Sequence, residues 1–305
     1  MADSWKDFEF DKVRVSAVLA ATWSQYRAHV RYWLTATVCI LVPYLVLLAI
    51  FDYHAVSQWT DVFQVLLHSK SVEQWLNASQ ATTGTAGDNS AVVAVLGLLR
   101  ALVVMPLLFG MLLRLSLHLA AHRKSPSLDE SLSVSARRLF AVAVTTVLWW
   151  FLWLVVLTVM VFIASLIASF AVAVAGGNVA GVIVASIFAL AALVVGIWIA
   201  VRCSQTSPIV FTESIMLWSA IRRSWNLTRK QGWRVFWVLV VTFFFVSLVQ
   251  AAIGLLVAGF VHNPIVTVVV NGIVLVFTSP FSMLAQANLY VHLRSRQGEF
   301  NPVIR

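Results

Sequence analysis

The sequence predicts an all-α, polytopic transmembrane helical bundle of six spans with amphipathic helices on the cytoplasmic face, built as a single integral membrane domain over residues 1–305. Three observations carry this expectation. The first is composition: 61% of the 305 residues are apolar and 11% are charged, with a mean hydropathy of +0.90. Soluble domains carry about 45–50% apolar and about 25% charged residues. Charge this sparse does not cover the surface of a water-soluble globule, and hydrophobicity this high does not suit a disordered chain. The second is that no Asp, Glu, Lys or Arg occurs between Arg138 and Arg202, or between Arg234 and Arg294. A helical crossing takes about 20 apolar residues, so each stretch suits two crossings. The third is the placement of the basic residues.

Taken in order, residues 1–32 are polar and charged and hold no cleavable signal peptide, so they read as a cytoplasmic segment with an interfacial helix. The first span, 33–51, then acts as an uncleaved anchor. Residues 52–90 form an extracytoplasmic loop, part helical over Val56–Trp75 and flexible through Asn77–Ser90. The second span covers 91–117. Two hairpins follow, 139–170 with 179–201 and 235–261 with 265–290. Their turns are Gly176-Gly177-Asn178 and His262-Asn263-Pro264.

Cytoplasmic segments are enriched in Lys and Arg. The segment before Trp33 holds Lys6, Lys12, Arg14, Arg27 and Arg31, and the segment 118–138 holds Arg123, Lys124, Arg137 and Arg138. The segment 202–234 holds Arg202, Arg222, Arg223, Arg229, Lys230 and Arg234, and the tail holds Arg294, Arg296 and Arg305. The alternate connections hold only Lys70, among Asp52, Asp61, Glu73 and Asp88. Both termini are therefore expected in the cytoplasm, with the protein in the plasma membrane. The net charge of +9 belongs to one face, where each basic residue gains about 1 kcal/mol from anionic lipid headgroups. Arg222, Arg223, Arg229 and Lys230 are the expected headgroup contacts. No nucleic-acid-binding module accompanies this charge, and no nucleic-acid partner is expected.

Each basic segment also carries helical periodicity ahead of a pair of spans. Val15, Val18, Leu19, Thr22 and Tyr26 share one face, with Arg14, Ser24, Gln25 and Arg31 largely elsewhere. Ser127 and Glu130 have capping-box spacing ahead of Leu128, Leu132 and Leu139. Thr212 is placed to cap a helix with Glu213 in its first turn, and Leu217, Trp218, Ile221 and Trp225 share a face. These helices are expected to lie in the headgroup plane, apolar side down. The unit of surface helix plus hairpin thus recurs from near residues 12, 127 and 212. Both true repetition and the ordinary basicity of juxtamembrane segments account for it.

Three stretches together carry a family resemblance. One runs from Pro208-Ile209-Val210 through Glu213 to Ala220-Ile221-Arg222-Arg223-Ser224-Trp225-Asn226-Leu227-Thr228-Arg229 and Gly232-Trp233-Arg234. The second is Val18-Leu19 with Tyr26-Arg27, and the third is Pro280 with Leu289-Tyr290-Val291-His292-Leu293-Arg294. The chain resembles the bacterial glycerophosphoryl diester phosphodiesterase membrane domain type of six-span protein in its stand-alone form. Some members carry a fused phosphodiesterase barrel, usually of about 250 residues, for which this chain has no room outside its spans. The resemblance therefore implies no enzyme activity and supplies no catalytic residues.

The residues alone agree with that. No phosphate-binding Gly loop, HExxH or nucleophile elbow occurs. His118 and His122 form an i, i+4 pair with no Glu between them and no obvious third ligand, which reads as interfacial rather than metal-binding. Cys39 and Cys203 suggest neither a disulfide nor redox chemistry. No catalytic residue, metal or cofactor is expected.

The informative polar residues are those at membrane depth. Arg100 lies ten residues into the second span, where an arginine costs about 2.5 to 3.5 kcal/mol on insertion scales, and no carboxylate lies within the expected spans. Either it snorkels outward or bonds to backbone, or it meets an anionic ligand in a cavity together with Gln250, Asn271 or Gln286. Arg114 lies nearer the cytoplasm and can snorkel. Pro106, Gly110 and Pro280 can open their helices. The tryptophans at 149, 150 and 153 suit packing, and Trp233, Phe236 and Trp237 suit an interfacial belt. The expected function is binding, or facilitated movement, of a lipid or other anionic amphiphile. The alternative is a non-catalytic scaffold or accessory subunit of a larger complex.

Overall fold

The computed structural model describes residues 15–51, 90–121, 124–175, 178–260 and 264–297. Every regular element among them is helical. Six helical stretches are long and apolar enough to cross a membrane: Val30–Leu48, Ala94–Ala120, Leu128–Ile167, Leu190–Glu213, Gly232–Val257 and Val269–Arg296. The chain is an all-α, six-span, multi-pass membrane protein. The expected helix at Val56–Trp75, Lys70 and the turn residues Gly176-Gly177 and His262-Asn263 lie outside the described residues.

The chain divides into two compact units, residues 1–139 with 237–305, and residues 140–236. The first contains α1 (Val15–Ala28), α2 (Val30–Phe51), α3 (Ser90–Leu99), a π-helical turn (Arg100–Val104), α4 (Met105–Ala120) and the start of α5 (Leu128–Ala175). It also holds most of α9 (Gly232–Phe260) and all of α10 (Pro264–Arg296). Helix α10 packs against α1, α2 and α4. Ala285 and Ala287 are fully covered there, because small side chains let helix backbones approach without a hydrophobic drive between them. One core cluster joins Trp33, Ala36, Leu108, Met111, Leu112 and Leu284. A second joins Leu41, Tyr44, Leu96, Val104 and Val276.

Two expectations are corrected in this unit. Helix α1 docks on α10, and the face it buries is partly polar rather than wholly apolar. Gln25, placed off that face by periodicity, is buried with Val18 and Thr22. The docking partner explains the difference, since α10 offers Asn288, whose Nδ2 donates to Thr22 Oγ1 at 3.1 Å. The second correction concerns the surface helix expected ahead of the third span. It is continuous with that span, in a single helix of 48 residues. No Gly or Pro separates Leu128 from Leu139 to end the first part. The expected start does form, as Ser127 Oγ accepts the Glu130 N–H at 3.2 Å.

The second unit contains the rest of α5, then α6 (Asn178–Cys203), α7 (Thr206–Glu213) and α8 (Trp218–Thr228). Trp149 and Trp153 stack with centroids 6.4 Å apart, and the Trp153 indole lies against Gly196 of α6. Thr212 is not a helix cap: it closes α7, its hydroxyl donating to the Pro208 carbonyl at 2.8 Å. The chain then breaks at Ser214 and Leu217, both with φ of 58°, an uncommon conformation for non-glycine residues. The Leu217 N–H is held by Thr145 Oγ1 at 3.1 Å. Glu213 therefore ends α7 rather than starting α8, and Arg223 Nε donates to its carboxylate at 3.0 Å across the break.

Candidate functional site

The second span is interrupted at Arg100. Its carbonyl accepts from the Met105 N–H, a π-type bond, and the α-helical ladder resumes from Val104. The carbonyls of Ala101, Leu102 and Val103 lie between those two points. Pro106 has no N–H and the Met105 N–H serves Arg100, so the Ala101 carbonyl has neither its α-type nor its π-type donor. The Leu107 N–H is left for the carbonyls of Leu102 and Val103. Unsatisfied backbone groups cost several kcal/mol in hydrocarbon, and π-turns cluster at functional sites. The sequence signal for this opening is Pro106, and it opens the helix just before itself.

Arg100 is exposed. It stands ten residues from Ser90, where α3 begins, about 15 Å at 1.5 Å per residue. Helical side chains lean toward the helix N-terminus, so the guanidinium is directed to the nearer end. One turn earlier, a side chain at Gly97 would meet nothing within 4 Å. Tyr44 is the electrostatic neighbour of Arg100. Among the described residues no carboxylate forms an ion pair with Arg100.

The other expected site residues lie on α4, α9 and α10. Arg114, 11% exposed, pairs with the Glu130 carboxylate at the start of α5. Its Nη1 is also 3.5 Å from the Glu130 carbonyl. This carboxylate replaces the snorkelling expected for Arg114 and ties α4 to α5. Gln250 of α9 donates to Thr278 Oγ1 of α10 at 3.0 Å. Asn271 and Gln286 are half-buried at separate levels of α10.

Sequence reasoning missed a buried polar layer beneath α1. Thr22, Gln25, Ser116 and Asn288 are nearly inaccessible. Ser116 Oγ donates to Gln25 Oε1 at 3.3 Å. Thr22 donates its own proton to the Val18 carbonyl at 2.8 Å, so its oxygen can only accept. That fixes the Asn288 amide with Nδ2 toward Thr22. Asn288 Oδ1 and Gln25 Nε2 are left without partners. Asn288, set between Ala287 and Leu289 in an apolar helix, was the visible signal.

Arg222 of the basic helix α8, and Arg229 and Lys230 just past its end, are exposed, and Arg223 is held by Glu213. Three of the four expected headgroup contacts are thus outward. The buried face is centred on Ser224, with Ala220, Ile221, Leu227 and Thr228, rather than on the tryptophans; Trp218 is exposed. The reason is the end of α6. Ser224 Oγ donates to the Arg202 carbonyl at 2.7 Å, which satisfies an orphan acceptor there.

Cys39 is exposed and Cys203 buried, both as free thiols. Among the described residues no group of three or more His, Cys, Asp or Glu is placed to hold a metal ion. His118 Nδ1 is 3.3 Å from the Lys124 carbonyl, and His122 lies outside the described residues. No protein family, curated protein or solved structure matches the chain.

Proposed function

We propose that this protein binds the headgroup of an anionic lipid or related amphiphile at Arg100 and facilitates its movement along the opened second span. The observation that carries the reading is an exposed arginine within a membrane span, beside a π-turn, with no carboxylate paired to it among the described residues. A guanidinium at that depth needs an anion or water. A phosphate accepts its planar fork in bidentate fashion.

The accompanying orientation puts both termini and the basic segments in the cytoplasm of a bacterial cell, with the protein in the plasma membrane. Arg222, Arg229 and Lys230 then meet anionic headgroups of the inner leaflet. We also place the chain with the six-span bacterial membrane-domain proteins it resembles. Support for that lies in the Arg-Arg-Ser-Trp-x-Leu-Thr-Arg stretch.

Native mass spectrometry of the purified protein tests the reading. Wild type is expected to retain anionic phospholipid, and Arg100→Gln to lose it while circular dichroism and elution stay unchanged. Equal lipid retention by both proteins contradicts the reading and favours the scaffold role.

A further inference from the structure

The geometry points to a second recognition element at the same site, one that reads the tail side of the headgroup. We propose that the π-turn selects anionic amphiphiles carrying a free hydroxyl or amide N–H just inward of the phosphate. This rests on the proposed role of Arg100 and adds a specificity to it.

In a helix the side chain leans toward the N-terminus, whereas the carbonyls point toward the C-terminus. Arg100 therefore serves the Ala94 end of the span. The carbonyls of Ala101, Leu102 and Val103 face the opposite way, one to three residues deeper, or about 1.5 to 4.5 Å further along the axis. That of Ala101 has no helical donor, because Pro106 lacks an N–H and Met105 already serves Arg100, and those of Leu102 and Val103 share the Leu107 N–H. All three residues are only partly covered.

The chemistry of the occupant follows from that order of groups. The anion belongs at the mouth and the hydrogen-bond donor below it. A diacyl phosphatidic lipid offers a phosphate and then only ester oxygens, which are acceptors and leave the Ala101 carbonyl unmet. A lysophospholipid offers the same phosphate followed by a hydroxyl. An N-acylated amphiphile offers an amide N–H at that level. A ligand that satisfies a polar group left unpaired in the site gains over an analogue that cannot. Gly97, open where a side chain would be, leaves the approach to Arg100 clear.

The test compares palmitoyl lysophosphatidic acid with its deoxy analogue, which lacks the free hydroxyl and is otherwise identical, by titration into the detergent-purified protein. The hydroxyl is expected to strengthen binding by roughly five- to tenfold, the worth of one hydrogen bond of about 1 kcal/mol or a little more. Pro106→Ala, which restores the missing N–H, is expected to narrow that ratio while phosphate binding persists. Equal binding of the two lipids to wild type overturns the hydroxyl selectivity and leaves Arg100 binding standing. Arg100→Gln binding both lipids as tightly as wild type overturns the underlying role of Arg100.

Discussion

The Arg202 guanidinium, at the end of α6, donates to the Thr228 carbonyl at the end of α8 across 2.7 Å. The Trp198 and Trp225 rings lie 5.5 and 5.8 Å from its Cζ. A cation between two helix C-termini complements both macrodipoles, and its desolvated contact with indole faces adds to the attraction. Gly232 lies so close that an added Cβ would be 3.4 Å from the guanidinium carbon.

Removal of this cation unfastens α8. Arg202→Ala is expected to cost about 2–3 kcal/mol, combining a charged hydrogen bond with cation–π contact. Arg202→Lys recovers only part of that, because an ammonium lacks the planar fork. Thermal unfolding in detergent checks the order wild type, Lys, Ala. An Ala variant as stable as wild type contradicts the clasp.

A second prediction concerns the proline in α10. Pro280 has no N–H and crowds the preceding turn, and the nearby Phe277 carbonyl accepts from the Tyr26 hydroxyl at 2.8 Å. Tyr26→Phe is expected to cost about 1 kcal/mol, and less in a Pro280→Ala background, where the regular helix competes for its own carbonyls. A double-mutant cycle measures the coupling. Strict additivity contradicts the link.

The same hydroxyl gives a pH dependence. Burial pushes Tyr26 from 10.0 to about 12. A raised folded-state value means that its contribution is fully present below pH 10 and lost as pH rises toward 12. Difference spectroscopy of wild type against Tyr26→Phe should show one tyrosinate appearing late. Ionisation of Tyr26 near its ordinary value contradicts that burial.

The polar layer under α1 yields an inverse expectation. Asn288 Oδ1 and Gln25 Nε2 are buried and unmet, so the layer costs stability that an apolar replacement recovers. The double variant Gln25→Met with Asn288→Leu is expected to unfold at or above the wild-type temperature. A loss beyond about 2 kcal/mol would mean that the layer is fully satisfied.

Close packing in the second unit is tested at Gly196. A Cβ there runs into the Trp153 indole, and a rigid ring cannot yield as a flexible chain end does. Gly196→Val is expected to destabilise by about 1–3 kcal/mol, with partial rescue by Trp153→Leu. Unfolding temperatures of the three variants decide it. Wild-type stability of Gly196→Val contradicts the contact.

Much of the fold was legible because hydrocarbon imposes a coarse rule: long uncharged stretches become helices. Periodicity misled where a protein surface replaced lipid as the partner. Gln25 points inward because Asn288 and Ser116 lie opposite, which no local pattern in α1 encodes. Thr212 looked like a cap, yet the Leu217 N–H finds its acceptor in Thr145, distant in sequence. At the candidate site, Arg100 and Pro106 were each visible. Their joint effect, a π-turn that strands a carbonyl beside a cation, required knowing which N–H closed on which carbonyl.

The central claim is that an anionic headgroup occupies the surface around Arg100. Photo-crosslinking with an anionic lipid bearing a diazirine near its phosphate, in vesicles containing the protein, tests this most directly. Label read by peptide mass spectrometry is expected to concentrate on Gly97–Val104 and to fall sharply in Arg100→Gln. Label spread evenly over the apolar helices, and unchanged by that substitution, would contradict it.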